Sequence, residues 1–237
     1  MGQTRAHTFF AHLRRMVPGR LARLVRASAT AILTPLYFTR HTGHWRSSLR
    51  QMAVSPNGDP LPWYTYPCID FLAPRRHRVG TVLEFGAGQS TLWWAAGGAK
   101  VVAFEADREW FDRLRNAVPA SVDLRFTTIV SEAECIRDVR EQLAVAATQQ
   151  FDVVVVDGLW RHELITVALE RRSPKGIIVF DDSEGYGVFE RLKNAGLCRV
   201  DFFGFAPGVM LPRCTSIYFT DATLFLDAQI PIGNARG

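Results

Sequence analysis

The sequence predicts a doubly wound α/β protein preceded by a basic helical arm. Three observations carry that prediction. From Thr81 to Asn194 short β-rich runs alternate with helical patterns, which implies parallel strands joined by right-handed crossovers, with helices on both faces of the sheet. The β-rich runs are continuously apolar, as parallel strands buried on both faces require. Residues 1–50 hold nine arginines, no lysine and no acid, whereas the other 187 hold nineteen basic and twenty-three acidic side chains. The net charge of +5 therefore divides into an arm of +9 and a mildly acidic body of −4.

A chain of 237 residues, 48% hydrophobic and 22% charged, suits one soluble α/β domain with an appendage. Cys68, Cys135, Cys198 and Cys214 form no CxxC pair and have no histidine at zinc-finger spacing, so free thiols in a reducing cytoplasm are expected.

The arm comes first. Phe9, Phe10, Leu13, Met16 and Val17 recur at helical spacing with His12, Arg14 and Arg15 between them. This predicts one or two short basic helices over about Thr8 to Ala29, interrupted at Pro18-Gly19. Such a segment suits an anionic membrane surface, where each nearby Arg contributes about 1 kcal/mol. The alternative is a solvated arm that packs on its own domain. The uncharged run Ala27–Thr39 has thirteen residues and contains Pro35, too short for a span that needs about twenty. It also lies too late for a signal peptide, and the few serines argue against a mitochondrial presequence. Nucleic acid is not an expected partner, because no docking module is visible. The expected location is cytoplasmic, with peripheral contact at the inner membrane face through residues 1–50 as one role for the arm. The turn cluster Ser55-Pro-Asn-Gly-Asp-Pro separates the arm, 1–54, from the body, 55–237.

Within the body the elements follow in order. Thr81–Phe85 is an apolar strand and Ser90–Ala96 begins a helix; Lys100–Glu105 and Arg108–Ala117 repeat the pair. Val122–Val130 is a strand and Glu132–Ala147 a helix. Phe151–Val156, with four consecutive valines, is the clearest strand. Arg161–Arg171 is helical, Gly176–Phe180 a strand, and Gly187–Asn194 a helix. Arg199–Phe205 and Ser216–Phe219 are strand-like but joined by a Pro/Gly loop, which favours an antiparallel closing pair.

Ligands of open α/β sheets bind at the carboxyl ends of the strands, and acids and glycines gather there. Glu84-Phe-Gly-Ala-Gly-Gln-Ser-Thr follows the first strand. Gly86 and Gly88 allow a tight turn and a close backbone approach to a ligand, although a purely structural turn would use glycine too. Thr91 stands where a dinucleotide fingerprint has its third glycine, and Glu84 suits a cationic amine better than a pyrophosphate. Glu105, nineteen residues after Gly86, can accept hydrogen bonds from two ribose hydroxyls or merely open a helix. A nucleoside-type cofactor accounts for both acids.

On Val82-Leu-Glu-Phe-Gly-Ala-Gly-Gln-Ser-Thr-Leu-Trp-Trp, Val102-Ala-Phe-Glu-Ala-Asp, Phe151-Asp-Val-Val-Val-Val-Asp-Gly and Gly176-Ile-Ile-Val-Phe-Asp-Asp, the chain resembles the class I S-adenosylmethionine-dependent methyltransferases. More narrowly, it resembles small bacterial methyltransferases of glycan and secondary-metabolite gene clusters. The resemblance spans about Pro62 to Phe219. It implies a Rossmann-like, mostly parallel seven-stranded sheet with an antiparallel last strand, and cofactor contacts from Glu84, Gly86, Gly88 and Glu105. It places Ser131 and Glu132 near the adenine.

Two further groups bear on chemistry. Asp157, after the fourth strand, would face both methyl donor and acceptor, and His162 could deprotonate an acceptor hydroxyl; a histidine in a helix's first turn is more often simply exposed. Asp181-Asp182 follows the fifth strand. Three carboxylates at adjacent strand ends repel unless something offsets their charge. Some metal-dependent O-methyltransferases have this layout, so Asp157, Asp181 and Asp182 are candidate ligands for Mg2+; alternatively Asp182-Ser183 caps the next helix. The expected activity is methyl transfer from S-adenosylmethionine to an oxygen or nitrogen of a small-molecule or glycan acceptor. A nucleotide-dependent oxidoreductase and a non-catalytic binding scaffold are the alternatives.

Overall fold

The computed structural model describes residues 19–127, 131–146, 148–158, 160–185, 187–221, 223 and 225. Among these, seven strands form one sheet: β1 (Thr81–Phe85), β2 (Lys100–Glu105), β3 (Val122–Phe126), β4 (Phe151–Val156), β5 (Arg172–Phe180), β6 (Cys198–Gly204) and β7 (Arg213–Phe219). Their order is β3-β2-β1-β4-β5-β7-β6. β1 to β5 run parallel, and β7 lies antiparallel between β5 and β6. The doubly wound sheet and its antiparallel close are thus as expected. The helices are α1 (Gly19–His41), α2 (His44–Arg50), α3 (Tyr66–Leu72), α4 (Gln89–Ala96), α5 (Arg108–Arg115), α6 (Glu132–Ala144), α7 (Arg161–Arg171) and α8 (Phe189–Asn194).

The two-residue period of a strand divides the core into two layers. Val82, Val153, Val155, Ile177 and Val179 point to the face that holds Ile69, Leu72 and Trp94. Leu83, Phe85, Val154, Val156, Ile178 and Phe180 point to the face covered by α6 and α7 through Val139, Leu143 and Ile165. Leu83 is fully buried at the middle of the second layer. Leu83→Ala is expected to lower unfolding stability by about 2–5 kcal/mol, read as a fall in the urea midpoint by circular dichroism.

Several boundaries differ from expectation for physical reasons. β3 ends at Phe126 because its partner ends there, Glu105 facing Phe126. The ends expected at Val130 for that strand and at Ala147 for the next helix lie outside the described residues. β5 begins at Arg172, before a register shift opposite Phe151 and Val153. β7 begins at Arg213, because its first residues pair with Phe202–Gly204 of β6. In the arm, the expected helix over 8–18 lies outside the described residues. The described helix starts at Gly19, where a break was expected, and continues through Pro35 to His41. Its run of Ala, Leu and Arg sustains helix by propensity, despite a proline cost of about 3 kcal/mol. No described helix is long and apolar enough to cross a membrane.

Candidate functional site

The strand order reverses between β1 and β4, where such sheets bind their ligands. A cleft of about 960 Å³ opens there, formed mainly by the segments after β1, β2, β4 and β5. That is at the upper end for ligand pockets.

The first wall is the glycine loop. Gly86 and Ala87 donate their N–H groups to the Phe104 carbonyl at 2.9 and 3.1 Å, which pins the loop to β2. Gly86 has φ 96°, and a Cβ there would lie 2.7 Å from the Gly158 nitrogen. Only glycine allows this approach of the loops after β1 and β4. Gly88 differs. Its φ of −174° is ordinary extended backbone, and a Cβ would meet nothing within 4 Å, so what it provides is open space at the cleft wall. Thr91 accepts the Gly88 N–H at 2.9 Å and donates its hydroxyl to Glu84 Oε2. The residue that spoils a dinucleotide fingerprint therefore fixes the loop's acid.

Glu84 is fully buried, and its other oxygen, Oε1, has no partner. Burial raises its carboxyl to about 7, against the pull of the Ser90 and Thr91 hydroxyls. A buried acceptor without a donor is costly, and its position at the end of β1 suits a cationic ligand group. Glu105 stands at the end of β2 and lines the cleft. One oxygen accepts the N–H groups of Ala106 and Asp107 at 2.8 and 2.7 Å. Burial raises its carboxyl, and those two N–H groups pull it back. Asp107 itself caps α5 by accepting from the Trp110 N–H.

Asp157, Asp181 and Asp182 are brought together and line the far wall. Two guanidiniums offset their charge. Arg161 donates to Asp157 Oδ1 at 2.7 Å and to the carbonyls of Asp157, Gly158 and Asp181 at 2.9, 3.1 and 2.8 Å. Arg213 reaches Asp182 from the start of β7 at 2.8 Å. Thr215, also on β7, donates to Asp181 Oδ1 at 2.7 Å. Among the described residues no group of three His, Cys, Asp or Glu side chains is placed to hold a metal, so the site does not fit Mg2+. Burial raises Asp157 to about 7 against the pull of Arg161, with Glu84 adding to the rise. Burial and then the charge of Asp157 hold Asp181 well above the usual carboxylate range.

Four candidates lie away from the cleft lining: Glu84, which is fully buried, and His162, Ser131 and Glu132. His162 leans on Glu163, Nδ1 to Oε1 3.5 Å. Ser131 caps α6 by accepting the Glu134 N–H at 3.4 Å, and Glu132 is exposed in the first turn of that helix. Thr127, Cys135 and Val139 line the neighbouring part of the cleft instead. Trp110 and Trp160 were missed in the sequence. Trp110 lines the cleft and donates to the Ala87 carbonyl at 2.8 Å. Trp160 also lines it, with φ 58°, a conformation that costs a bulky residue about 1–3 kcal/mol and clusters at functional sites. Trp63 is a third aromatic of the lining, tied to the Pro207 carbonyl at 3.1 Å.

Residues 83–183 match a family model described as a methyltransferase domain. No curated protein sequence matches the chain. Among solved structures, an O-methyltransferase from Bacillus cereus in complex with SAH is similar at TM-score 0.52 and 14% identity, over 82% of this chain and 96% of that one. The O-methyltransferase TomG from Streptomyces achromogenes, in complex with SAM, is similar at TM-score 0.54 and 17% identity, over 79% and 95%. Cofactor-bound Rv0187 from MTB gives 0.51 and 16%, over 83% and 96%.

Proposed function

We propose that the chain, whose residues 83–183 match a methyltransferase-domain model and whose fold resembles O-methyltransferases in complex with SAH or SAM, uses S-adenosylmethionine to methylate an oxygen or nitrogen of a small-molecule or glycan acceptor. The catalytic body is placed in residues 55–237, with 1–54 as its arm. Glu84 carries the proposal: a fully buried carboxylate with one oxygen unpartnered fits the ammonium of a methionine moiety.

When bound, S-adenosylmethionine supplies an electrophilic methyl group on a sulfonium sulfur. Alignment of nucleophile and methyl then supplies much of the rate. Glu84 holds the ammonium, Gly86 and Gly88 let the backbone come close, and Glu105 accepts from the ribose hydroxyls. The adenine end is assigned to Thr127, Cys135 and Val139, which line the cleft where Ser131 and Glu132 do not. Of the two candidate bases, Asp157 lines the cleft and His162 does not, so Asp157 takes the acceptor's proton while Arg161 fixes its orientation. Trp63 and Trp160 flank the acceptor.

Differential scanning fluorimetry tests the cofactor. S-adenosylhomocysteine at a hundred times its Kd is expected to stabilise the chain by about 2.7 kcal/mol, and NAD by nothing measurable. A shift with NAD and none with S-adenosylhomocysteine would replace this reading with the oxidoreductase one.

A further inference from the structure

Helix α1 presents an apolar stripe to water. Leu21, Leu24, Val25, Ile32 and Leu36 recur at the spacing of one helix face, with the small Ser28 filling the turn between Val25 and Ile32. All five apolar side chains are exposed, and no residue of α1 is buried. Arg20, Arg23 and Arg26 lie on the other side of the helix, and residues 1–50 contain no acid. A stripe of this length that the described residues leave uncovered marks an interaction surface.

Two neighbouring elements carry further exposed apolar side chains. On α2, Trp45 and Leu49 stand one turn apart and are 65% and 69% exposed. On the loop from β6 to β7, Met210 and Leu211 are 82% and 66% exposed. The three elements are tied together: Phe38 of α1 packs on Phe205 with ring centroids 5.9 Å apart, and the Gly208 N–H donates to His44 Nδ1 at 3.3 Å. Gly208 also lies so close to Ser47 that a Cβ would be 2.9 Å from its carbonyl carbon.

We propose that this composite face docks on an anionic phospholipid bilayer. A headgroup layer takes the apolar stripe and the flanking arginines together, and an exposed Trp suits the interfacial depth. A second copy of α1 packed stripe to stripe would bring no acid to those arginines. The loop that carries Met210 and Leu211 also supplies Val209 to the cleft and leads directly into Arg213 of β7, so docking holds the cleft mouth at the headgroup layer. That last consequence rests on the methyl-transfer reading; the docking does not.

Co-sedimentation of the full chain with vesicles of phosphatidylcholine, with and without phosphatidylglycerol, tests it. Binding is expected to be at least about tenfold tighter with phosphatidylglycerol and to weaken as salt rises. Ile32→Asp with Leu36→Asp, and separately Leu211→Asp, should each cut it about tenfold or more, while the melting shift with S-adenosylhomocysteine stays that of the unaltered chain. Equal binding to both vesicles, or no loss in any variant, overturns the proposal. So does a dimer in sedimentation velocity that Ile32→Asp with Leu36→Asp dissociates. Vesicle binding without any S-adenosylhomocysteine shift would sink the methyl-donor reading and leave the docking standing.

Discussion

Glu84→Gln is expected to lower S-adenosylhomocysteine affinity about a hundredfold, the order lost when a buried charged hydrogen bond is removed. The ligand-free variant should nonetheless be the more stable protein in mild alkali. Burial raises the Glu84 carboxyl from its ordinary 4.5 to about 7, so the folded chain favours the protonated acid. The stability from that proton is fully present below the unfolded pKa of about 4.5 and is lost as pH rises through about 7, a difference of about 3 kcal/mol. Glutamine removes this slope. An ammonium at Oε1 reverses the preference, so affinity in the unaltered chain should rise with pH through about 7, with proton release on binding below it. Calorimetry in buffers of different ionisation enthalpy measures both. Equal affinity on either side of neutrality, with no loss in the variant, would remove Glu84 from the cofactor site.

Asp157→Asn is the second large effect. Loss of a general base lowers kcat by about 10²–10⁴, while S-adenosylhomocysteine affinity should change little. The amide oxygen of Asn can still accept from Arg161, so the strand ends stay tied. With Asp157 raised toward neutrality by burial, the rate should fall as pH drops through about 7. His162→Ala should leave the rate near that of the unaltered chain, because its side chain is outside the cleft lining. Transfer of a labelled methyl group to cell-extract acceptors measures each variant. An active Asp157→Asn with an inactive His162→Ala would exchange their roles.

The sheet was legible because its strands are locally marked. The four valines of β4 cannot face water on either side, and they are buried throughout. The glycine-loop wall of the cleft was legible for a related reason: Gly86 and Gly88 follow directly on β1 and Glu105 closes β2, two strands that the pattern locates. The far wall was only half legible. Asp157, Asp181 and Asp182 could be read as converging, but the source of compensating charge could not. Arg213 is thirty-one residues from Asp182 in sequence, and no local pattern announces that β7 turns it back into the site. Arg161 was visible after Asp157, yet its hold on three carbonyls depends on the fold. Ser131 looked like a ligand contact, but a serine before a helix is commonly its cap, and the capping bond is what forms.

The position of β7 has a consequence for how a growing chain matures. β6 pairs only with β7 among the described strands, and β7 supplies the Arg213 and Thr215 contacts to Asp182 and Asp181. On the ribosome, β1 to β5 can associate while β6 is still waiting for its neighbour. Long-range pairings of this kind form late. Asp157 meets Arg161 early, but Asp181 and Asp182 emerge well before the β7 side chains that tie them, and those contacts form only when the final strand slides between two that were made before it.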